Sequence, residues 1–181
     1  MCRLVAYLGT PILLDEVLVK PKNSLVLQSL QARESKYVPT NGDGFGIGWY
    51  APNITATPAI FRSIFPAWND ANLLNITAHI QSSCFFGHVR AASVGGINSY
   101  NCHPFTYQSW MLMHNGEVGD FQGIHRYLRQ LLDDDLYHWI KRETDSEHIF
   151  ALFLQLARGR DLSQLSEVAA VLLQVYQTID L

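Results

Sequence analysis

Cysteine is scarce in this sequence, and its spacing excludes two common kinds of small domain. Three cysteines, Cys2, Cys84 and Cys102, occur among the 181 residues, and no pair has the C-x-x-C spacing of a zinc ribbon. Their odd number also argues against a framework of disulfide bonds. The seven histidines show no H-E-x-x-H or comparable spacing, so neither a metal site nor another cofactor is expected. We expect a reduced, cytoplasmic protein.

Long apolar runs and basic clusters are missing as well. No apolar run approaches the roughly 20 residues of a membrane span, and no basic region followed by an apolar stretch marks the N-terminus as a secretory signal. The net charge is −3, and the longest run of basic residues is Lys141-Arg142. We therefore expect neither a membrane nor a nucleic acid as a partner.

The sequence does contain the material for one well-packed globular domain. Hydrophobic residues make up 48% of the chain and charged residues only 16%. A chain of this size buries roughly 70% of its unfolded surface. Repeats, low-complexity stretches and linkers are not found, so we predict a single domain over residues 1–181. Its first strand is predicted over residues 3–8 and is expected to end at Gly9-Thr10-Pro11.

Cys2 is the first residue that suggests chemistry. If Met1 is removed, Cys2 carries a thiol and a free α-amino group, and an amine with a pKa of about 8 can act as the base for the thiol. The short side chain of cysteine permits removal of the initiator methionine. The alternative is that Cys2 is a small hydrophobic residue at the start of a buried strand.

A glycine-rich string follows between residues 41 and 50. Its four glycines alternate with other residues, at Gly42, Gly44, Gly46 and Gly48. Alternate residues of a strand share a face, so this face would lack side chains, and another backbone or a substrate would lie close to it. The alternative is a hairpin turn at one of the two Asx-Gly pairs, followed by a weak strand.

Two polar residues follow predicted strands and have open interpretations. Arg90 comes after an apolar strand that starts at Cys84, and its guanidinium could bind a substrate carboxylate or form an internal salt bridge. Asn115-Gly116 follows the apolar strand 110–114. The pair is either a hairpin turn or an oxyanion hole made by the Asn amide and the Gly N–H.

Asp145 and His103 are two further candidate residues, and each lies in a recognisable local pattern. Thr144 and Glu147 match the capping box of a helix, which explains both without a function. Asp145 is then left near a helix N-terminus, where a carboxylate is favoured and could bind an ammonium group. His103 precedes a proline and is held extended. We favour a structural role for it over a catalytic one.

Taken together and in this order, these strings resemble a class II glutamine amidotransferase domain of the N-terminal-nucleophile hydrolase type. They are Cys2 and residues 41–50, 88–93, 101–105, 114–118 and 144–147. The opening Met-Cys-Arg-Leu-Val-Ala-Tyr-Leu-Gly and the glycine string are similar to the stand-alone branch that includes the ergothioneine-pathway amidohydrolase. The resemblance implies an α+β fold, a four-layer αββα sandwich of two mostly antiparallel sheets flanked by helices.

The same resemblance implies that the chain is C-terminally short. Members of this branch continue past the helix that Thr144 caps into further strands, which complete one sheet. A chain that ends at Leu181 is expected to lack these last strands, whether as a fragment, a truncated gene product or a shortened variant. A missing strand would leave an exposed sheet edge.

The resemblance also implies roles for individual residues. Cys2 would be the nucleophile, with its α-amine as general base directly or through a water, and Asn115 with the N–H of Gly116 would form the oxyanion hole. Arg90 would bind the substrate α-carboxylate and Asp145 its α-ammonium, while Ser93 lies where the family commonly has a hydroxyl residue touching the substrate. His103, Gly44 and Gly46 are expected to be structural residues near the site.

The implied substrate is glutamine or a γ-glutamyl amide. Attack by Cys2 gives a γ-glutamyl thioester as ammonia or an amine leaves, and water then releases glutamate. Since no synthetase domain follows, either a partner subunit accepts the ammonia or hydrolysis itself is the purpose. The competing hypothesis is a catalytically silent or truncated remnant that binds a γ-glutamyl ligand or a partner protein, which is expected if Met1 is retained.

Overall fold

The structure is a computed structural model that describes residues 2–31, 40–91, 96, 98–142 and 144–180. These residues form two compact units, Met1–Asn115 and Gly116–Leu181. The first unit contains all the described strands together with short helices, and the second contains helices. The α+β class is thereby confirmed, whereas the single domain over residues 1–181 stays a prediction.

The first unit is built on a four-stranded antiparallel sheet with the strand order β1-β4-β2-β3. Its strands are β1 (Arg3–Leu13), β2 (Phe45–Ala51), β3 (Thr55–Ser63) and β4 (Gln81–Val89). Two shorter antiparallel strands, β5 (Phe105–Tyr107) and β6 (Trp110–Leu112), form a second sheet.

Strand β1 is longer than the sequence predicts, and the expected end at Gly9-Thr10-Pro11 is wrong. The pairing of β1 with β4 shifts register between Leu8 and Ile12 and then resumes with Ile12 opposite Ser82. Such an irregularity accommodates a glycine and a proline that regular pairing would not tolerate. Among the strands that the structure describes, β1 pairs with β4 alone and is therefore an edge strand.

Three helices of the first unit accompany this sheet: α1 (Asp15–Leu18), α2 (Leu25–Leu30) and α3 (Ala71–His79). Ser24 caps α2 by accepting a hydrogen bond from the N–H of Leu27. The helices contribute to one apolar core with odd-numbered residues of β2 and β4. Its buried members are Leu14, Leu18, Leu25, Phe45, Ile47, Ala67, Leu73, Phe85 and Val89.

The described part of the second unit contains four helices. They are α4 (Phe121–Gln130), α5 (Asp134–Trp139), α6 (Asp145–Leu156) and α7 (Leu165–Ile179). Helix α6 is the central one, because it contacts each of the other three and buries most of its residues. Within the described part of the chain, no helix combines the length and the apolar character needed to cross a membrane.

Candidate active site

Cys2 lies where the first strand of the sheet meets the end of β4. Because Arg3 pairs with Val89, Cys2 comes next to the residues that follow β4. Its Sγ is 3.4 Å from both the carbonyl oxygen and the amide nitrogen of Ala91. The thiol is half-buried and remains partly accessible. The strand pairing therefore fixes the position of the thiol against one peptide unit.

Asn115 is the second predicted residue that the structure places beside Cys2. Its Nδ2 donates a hydrogen bond to the carbonyl oxygen of Cys2 at 3.1 Å, and Nη1 of Arg3 donates to the same oxygen at 3.0 Å. The hairpin interpretation of Asn115-Gly116 is wrong, since β6 ends at Leu112 and the next element is the helix α4. The amide of Asn115 is thus a hydrogen-bond donor held next to the thiol-bearing residue.

Arg90 directly follows β4 and is buried, with 5% of its surface exposed. Its backbone is fixed on both sides, because its N–H donates to the carbonyl of Gly44 and its own carbonyl accepts from the N–H of Asp43. Its Nη1 donates to the carbonyl oxygen of Gly96 at 3.3 Å. A buried guanidinium with an anchored main chain is well suited to recognising a planar carboxylate.

Asn101 was not predicted as a site residue, although it lies in one of the strings that carry the resemblance. Its Nδ2 donates to the carbonyl oxygen of Gly96 at 2.8 Å, the same oxygen that accepts from Arg90. It is 5% exposed, and its Oδ1 has no hydrogen-bond partner among the described residues. Nothing local in the sequence distinguishes this asparagine, because its shared contact with Arg90 becomes visible only in the fold.

The glycine-bearing face of β2 is covered by the chain itself. A Cβ at Gly46 would overlap the carbonyl oxygen of His103, and one at Gly48 would lie 2.7 Å from Cγ of Pro104. Gly44, with a φ of +106°, would place a Cβ 2.7 Å from Sγ of Cys102. The expected close approach is confirmed for Gly44, Gly46 and Gly48, and the 102–104 segment rather than a substrate makes it. The expectation that all four glycines lie on one strand face is wrong, since β2 begins at Phe45 and a Cβ at Gly42 would face the Trp68 ring. The hairpin interpretation of this string is wrong, since the described part of β2 pairs with β3 and β4.

His88 and His103 form a buried pair next to this glycine face. His88 shares a face with Gly46, its register partner on β2. The two imidazole rings are 4.4 Å apart, and His103 packs edge-on against Phe105. Neither ring has a hydrogen-bond partner among the residues that the structure describes. Burial, with a smaller contribution from the positive charge of Arg90, lowers the pKa of His88 to about 3, and burial lowers the pKa of His103 well below 6.5.

Because these histidines are buried and neutral, we expect the free energy of unfolding to decrease in mild acid. Each stays neutral in the folded protein, whereas the unfolded chain binds a proton below the ordinary pKa of 6.5. His148 in the second unit behaves alike, since burial lowers its pKa to about 4. The contribution of each is complete above pH 6.5 and is lost as the pH falls toward the folded pKa, at about 1.4 kcal/mol per pH unit.

Urea unfolding at pH 7, 6 and 5 measures this effect. We expect the free energy of unfolding to fall over this range, and the His88→Gln variant to lose about a third of the slope, because one of three comparable groups is removed. A free energy of unfolding that is constant from pH 7 to 5 in the unmodified protein would contradict the prediction.

Asp145 belongs to the second unit and is more engaged than the sequence predicts. The capping box is confirmed, since Oγ1 of Thr144 accepts from the N–H of Glu147 at 3.3 Å. Asp145 itself is not left free. Its Oδ2 accepts from the N–H of Val118 at 3.0 Å, and its Oδ1 accepts from the N–H and Oγ of Ser146. Two carboxylate oxygens offer about four acceptor positions, so capacity for a further donor remains.

The predicted site residues are thus distributed over both units. The first unit brings Cys2 together with Asn115 and with Ala91, the neighbour of Arg90, and it places Gly44, Gly46 and His103 in one packed layer. Gly116 and Asp145 belong to the second unit. Ser93 lies outside the described residues.

Comparison with known protein families shows which family the chain belongs to. The family model of class II glutamine amidotransferases matches residues 13–180. The chain belongs to this family. The matched range begins after Cys2, so the family assignment is independent of the residue proposed as its nucleophile.

Individual relatives of this amidotransferase are similar over most of its sequence. It is 41% identical over 160 residues to the probable glutamine amidotransferase DUG3 of Saccharomyces cerevisiae, covering 85% of this chain and 45% of that protein. It is 35% identical over 119 residues to the gamma-glutamyl-hercynylcysteine sulfoxide hydrolase of Mycolicibacterium smegmatis, covering 65% of this chain and 52% of the hydrolase. The amidotransferase chain therefore spans about half the length of these curated relatives.

A solved structure shows the same fold. The glutamine aminotransferase class-II domain protein of Silicibacter pomeroyi superposes with a TM-score of 0.65 at 29% identity, covering 96% of this chain and 62% of that one. The predicted fold, α+β of the N-terminal-nucleophile hydrolase type, is confirmed by this likeness and by the antiparallel sheets and helices of the amidotransferase.

Proposed function

We propose that this class II amidotransferase is a cysteine-dependent amidohydrolase that cleaves the side-chain amide of glutamine or of a γ-glutamyl compound. The observation that carries the proposal is the setting of Cys2. Its half-buried thiol lies 3.4 Å from the peptide of Ala91, and the side-chain amide of Asn115 donates a hydrogen bond to the carbonyl oxygen of Cys2. A nucleophile and a nearby amide donor are the two parts that acyl transfer from an amide requires.

The proposed reaction begins with removal of Met1, which frees the α-amine of Cys2. This amine accepts the thiol proton as sulfur attacks the amide carbon, and the amide oxygen becomes an oxyanion. Asn115 Nδ2 and the N–H of Gly116 stabilise that oxyanion, and loss of one such donor costs roughly 3 kcal/mol in acyl-transfer enzymes. The amine then protonates the leaving nitrogen as the C–N bond breaks. Water finally hydrolyses the thioester, which releases glutamate and restores the thiol.

Substrate recognition is proposed to depend on opposite charges at the glutamyl end. The guanidinium of Arg90 is planar and buried, a geometry that suits bidentate recognition of the α-carboxylate. Asp145 retains acceptor capacity for the α-ammonium, since its three hydrogen bonds do not use every lone pair. Ser93 would add a hydroxyl contact.

The relatives support a small amide substrate, but their names refer to two different reactions. DUG3 is a probable glutamine amidotransferase, whereas the mycobacterial relative hydrolyses a γ-glutamyl compound. Both names fit an enzyme that breaks the bond between a γ-glutamyl group and a nitrogen. In the first case the ammonia passes to an acceptor, which a partner subunit would provide here, and in the second case hydrolysis is the purpose.

The experiment that tests the proposal is an intact mass measurement with and without a diazoketone analogue of glutamine. We expect a native mass lower by one methionine and a single adduct that maps to Cys2. Cys84→Ser provides a matched control that should label equally, because Cys84 lies within β4. Retained Met1 with no adduct would overturn the proposal and favour a silent, ligand-binding protein.

A further inference from the structure

A cleft lies in the second unit, and its lining includes none of the residues assigned above to the candidate active site. It has a volume of about 450 Å³ and is lined by residues of α4 and α5, namely His125, Arg126, Arg129, Gln130 and Tyr137. This volume falls within the roughly 300–1,000 Å³ typical of small-molecule sites. Among the described residues that line the cleft there are two guanidinium groups and no carboxylate.

Arg129 is held in place by a buried histidine and by an aromatic ring. Its Nε donates to Nε2 of His148 at 3.0 Å, and Nδ1 of His148 donates to the carbonyl of Thr144 at 2.8 Å. Because a carbonyl can only accept, the proton of His148 is on Nδ1, and Nε2 is free to accept from Arg129. The guanidinium carbon also lies 5.2 Å from the centre of the Tyr137 ring. The terminal nitrogens of Arg129 have no hydrogen-bond partner in the described part of the chain.

Arg126 adds a second positive charge to the same side of α4. It is three residues before Arg129, a spacing that places two side chains on one helix face, where like charges repel. Arg126 is exposed and makes no ion pair or hydrogen bond with the described residues. In the acidic run at the start of α5, Asp133 and Asp135 pair with Arg158 rather than with Arg126, and no ion pair joins Asp134 to Arg126 among the described residues.

We propose that this cleft binds a small metabolite that carries a phosphate group. Two uncompensated guanidiniums match a dianion better than a monocarboxylate, and Arg forms bidentate hydrogen bonds with phosphate. The volume exceeds that of a phosphate group alone, which leaves room for an organic part beside Tyr137. The site is independent of the amidohydrolase reaction.

Titration calorimetry of the full chain with inorganic phosphate, at constant ionic strength set with chloride, tests the proposal. We expect saturable binding that is weakened about tenfold in Arg126→Gln, since a charge-assisted hydrogen bond is lost. Arg160→Gln is the matched control. It removes the same charge from the second unit, where Arg160 contacts Glu167 and Gln174 outside the cleft, and it should bind phosphate as the unmodified protein does.

Arg129→Lys separates orientation from charge. Lysine keeps the positive charge but loses the planar group that His148 holds, so phosphate binding is expected to weaken although the net charge is unchanged. Equal weakening by Arg126→Gln and Arg160→Gln would show general charge attraction and would overturn the site. Absence of saturable phosphate binding, or tighter binding of succinate than of phosphate, would overturn the assigned ligand class.

Discussion

Replacing Cys2 by serine is expected to lower glutamate release from glutamine or γ-glutamyl amides by roughly a thousandfold or more. The hydroxyl of serine is a far weaker nucleophile than a thiol, because almost none of it is ionised near neutral pH, whereas a few per cent of a cysteine thiol is thiolate. The substitution is nearly isosteric, so the weak contacts to the Ala91 peptide are replaced rather than removed. The assay is glutamate release by the unmodified and variant proteins under the same conditions.

Cys84→Ser provides the control for this substitution. Cys84 is also half-buried and also lies in the sheet, but burial raises the pKa of its thiol, which keeps it protonated and unreactive. The variant should retain the turnover of the unmodified protein. An active Cys2→Ser protein, or equal losses in both variants, would contradict a nucleophilic role for Cys2.

Gly46→Ala is expected to lower the free energy of unfolding by about 3 kcal/mol, at the upper end for overpacking of a buried site. The added methyl group would overlap the carbonyl oxygen of His103 and approach Cγ of Arg62 at 3.2 Å. The first obstacle is backbone, so a change of side-chain rotamer does not relieve it. For a protein of this size the loss corresponds to a fall in Tm of roughly 6–12 °C, measurable by thermal denaturation.

Gly119→Ala is the matched control, because a Cβ at Gly119 would have no atom within 4 Å. This variant should change the free energy of unfolding by no more than about 0.5 kcal/mol. If both variants melt at the temperature of the unmodified protein, the 102–104 segment does not lie against β2 as described.

The sequence predicts faces more successfully than contacts between distant segments. The alternation of glycines is a local pattern, and it correctly predicts that β2 has one face open to a close neighbour. The identity of that neighbour, the backbone of His103, depends on a loop that follows two further strands and has no local pattern. In the same way, the strand β4 was predicted from its apolar residues, whereas the contact of Cys2 with Ala91 joins residues 89 positions apart.

Asp145 and the cleft lined by α4 and α5 also show that a local pattern does not predict contacts between distant residues. The capping box is a pattern of four consecutive residues, so the sequence predicts the roles of Thr144 and Glu147 correctly. The hydrogen bond from the N–H of Val118 to Asp145 joins residues 27 positions apart, and no local pattern predicts it. Arg126 and Arg129 have the spacing of ordinary solvent-exposed helix residues. Only the fold shows that Arg129 is held by His148 and Tyr137.

The edge position of β1 has a consequence for how activity and structure are linked. Edge strands open locally at a lower free energy than the centre of a sheet, because fewer neighbours hold them. Cys2 immediately precedes β1, and the contacts of its thiol with Ala91 depend on the β1–β4 pairing. Fraying of this one strand would therefore displace the proposed nucleophile while the rest of the sheet stays folded. The reactivity of the Cys2 thiol would then change when β1 separates from β4, before the other strands unfold.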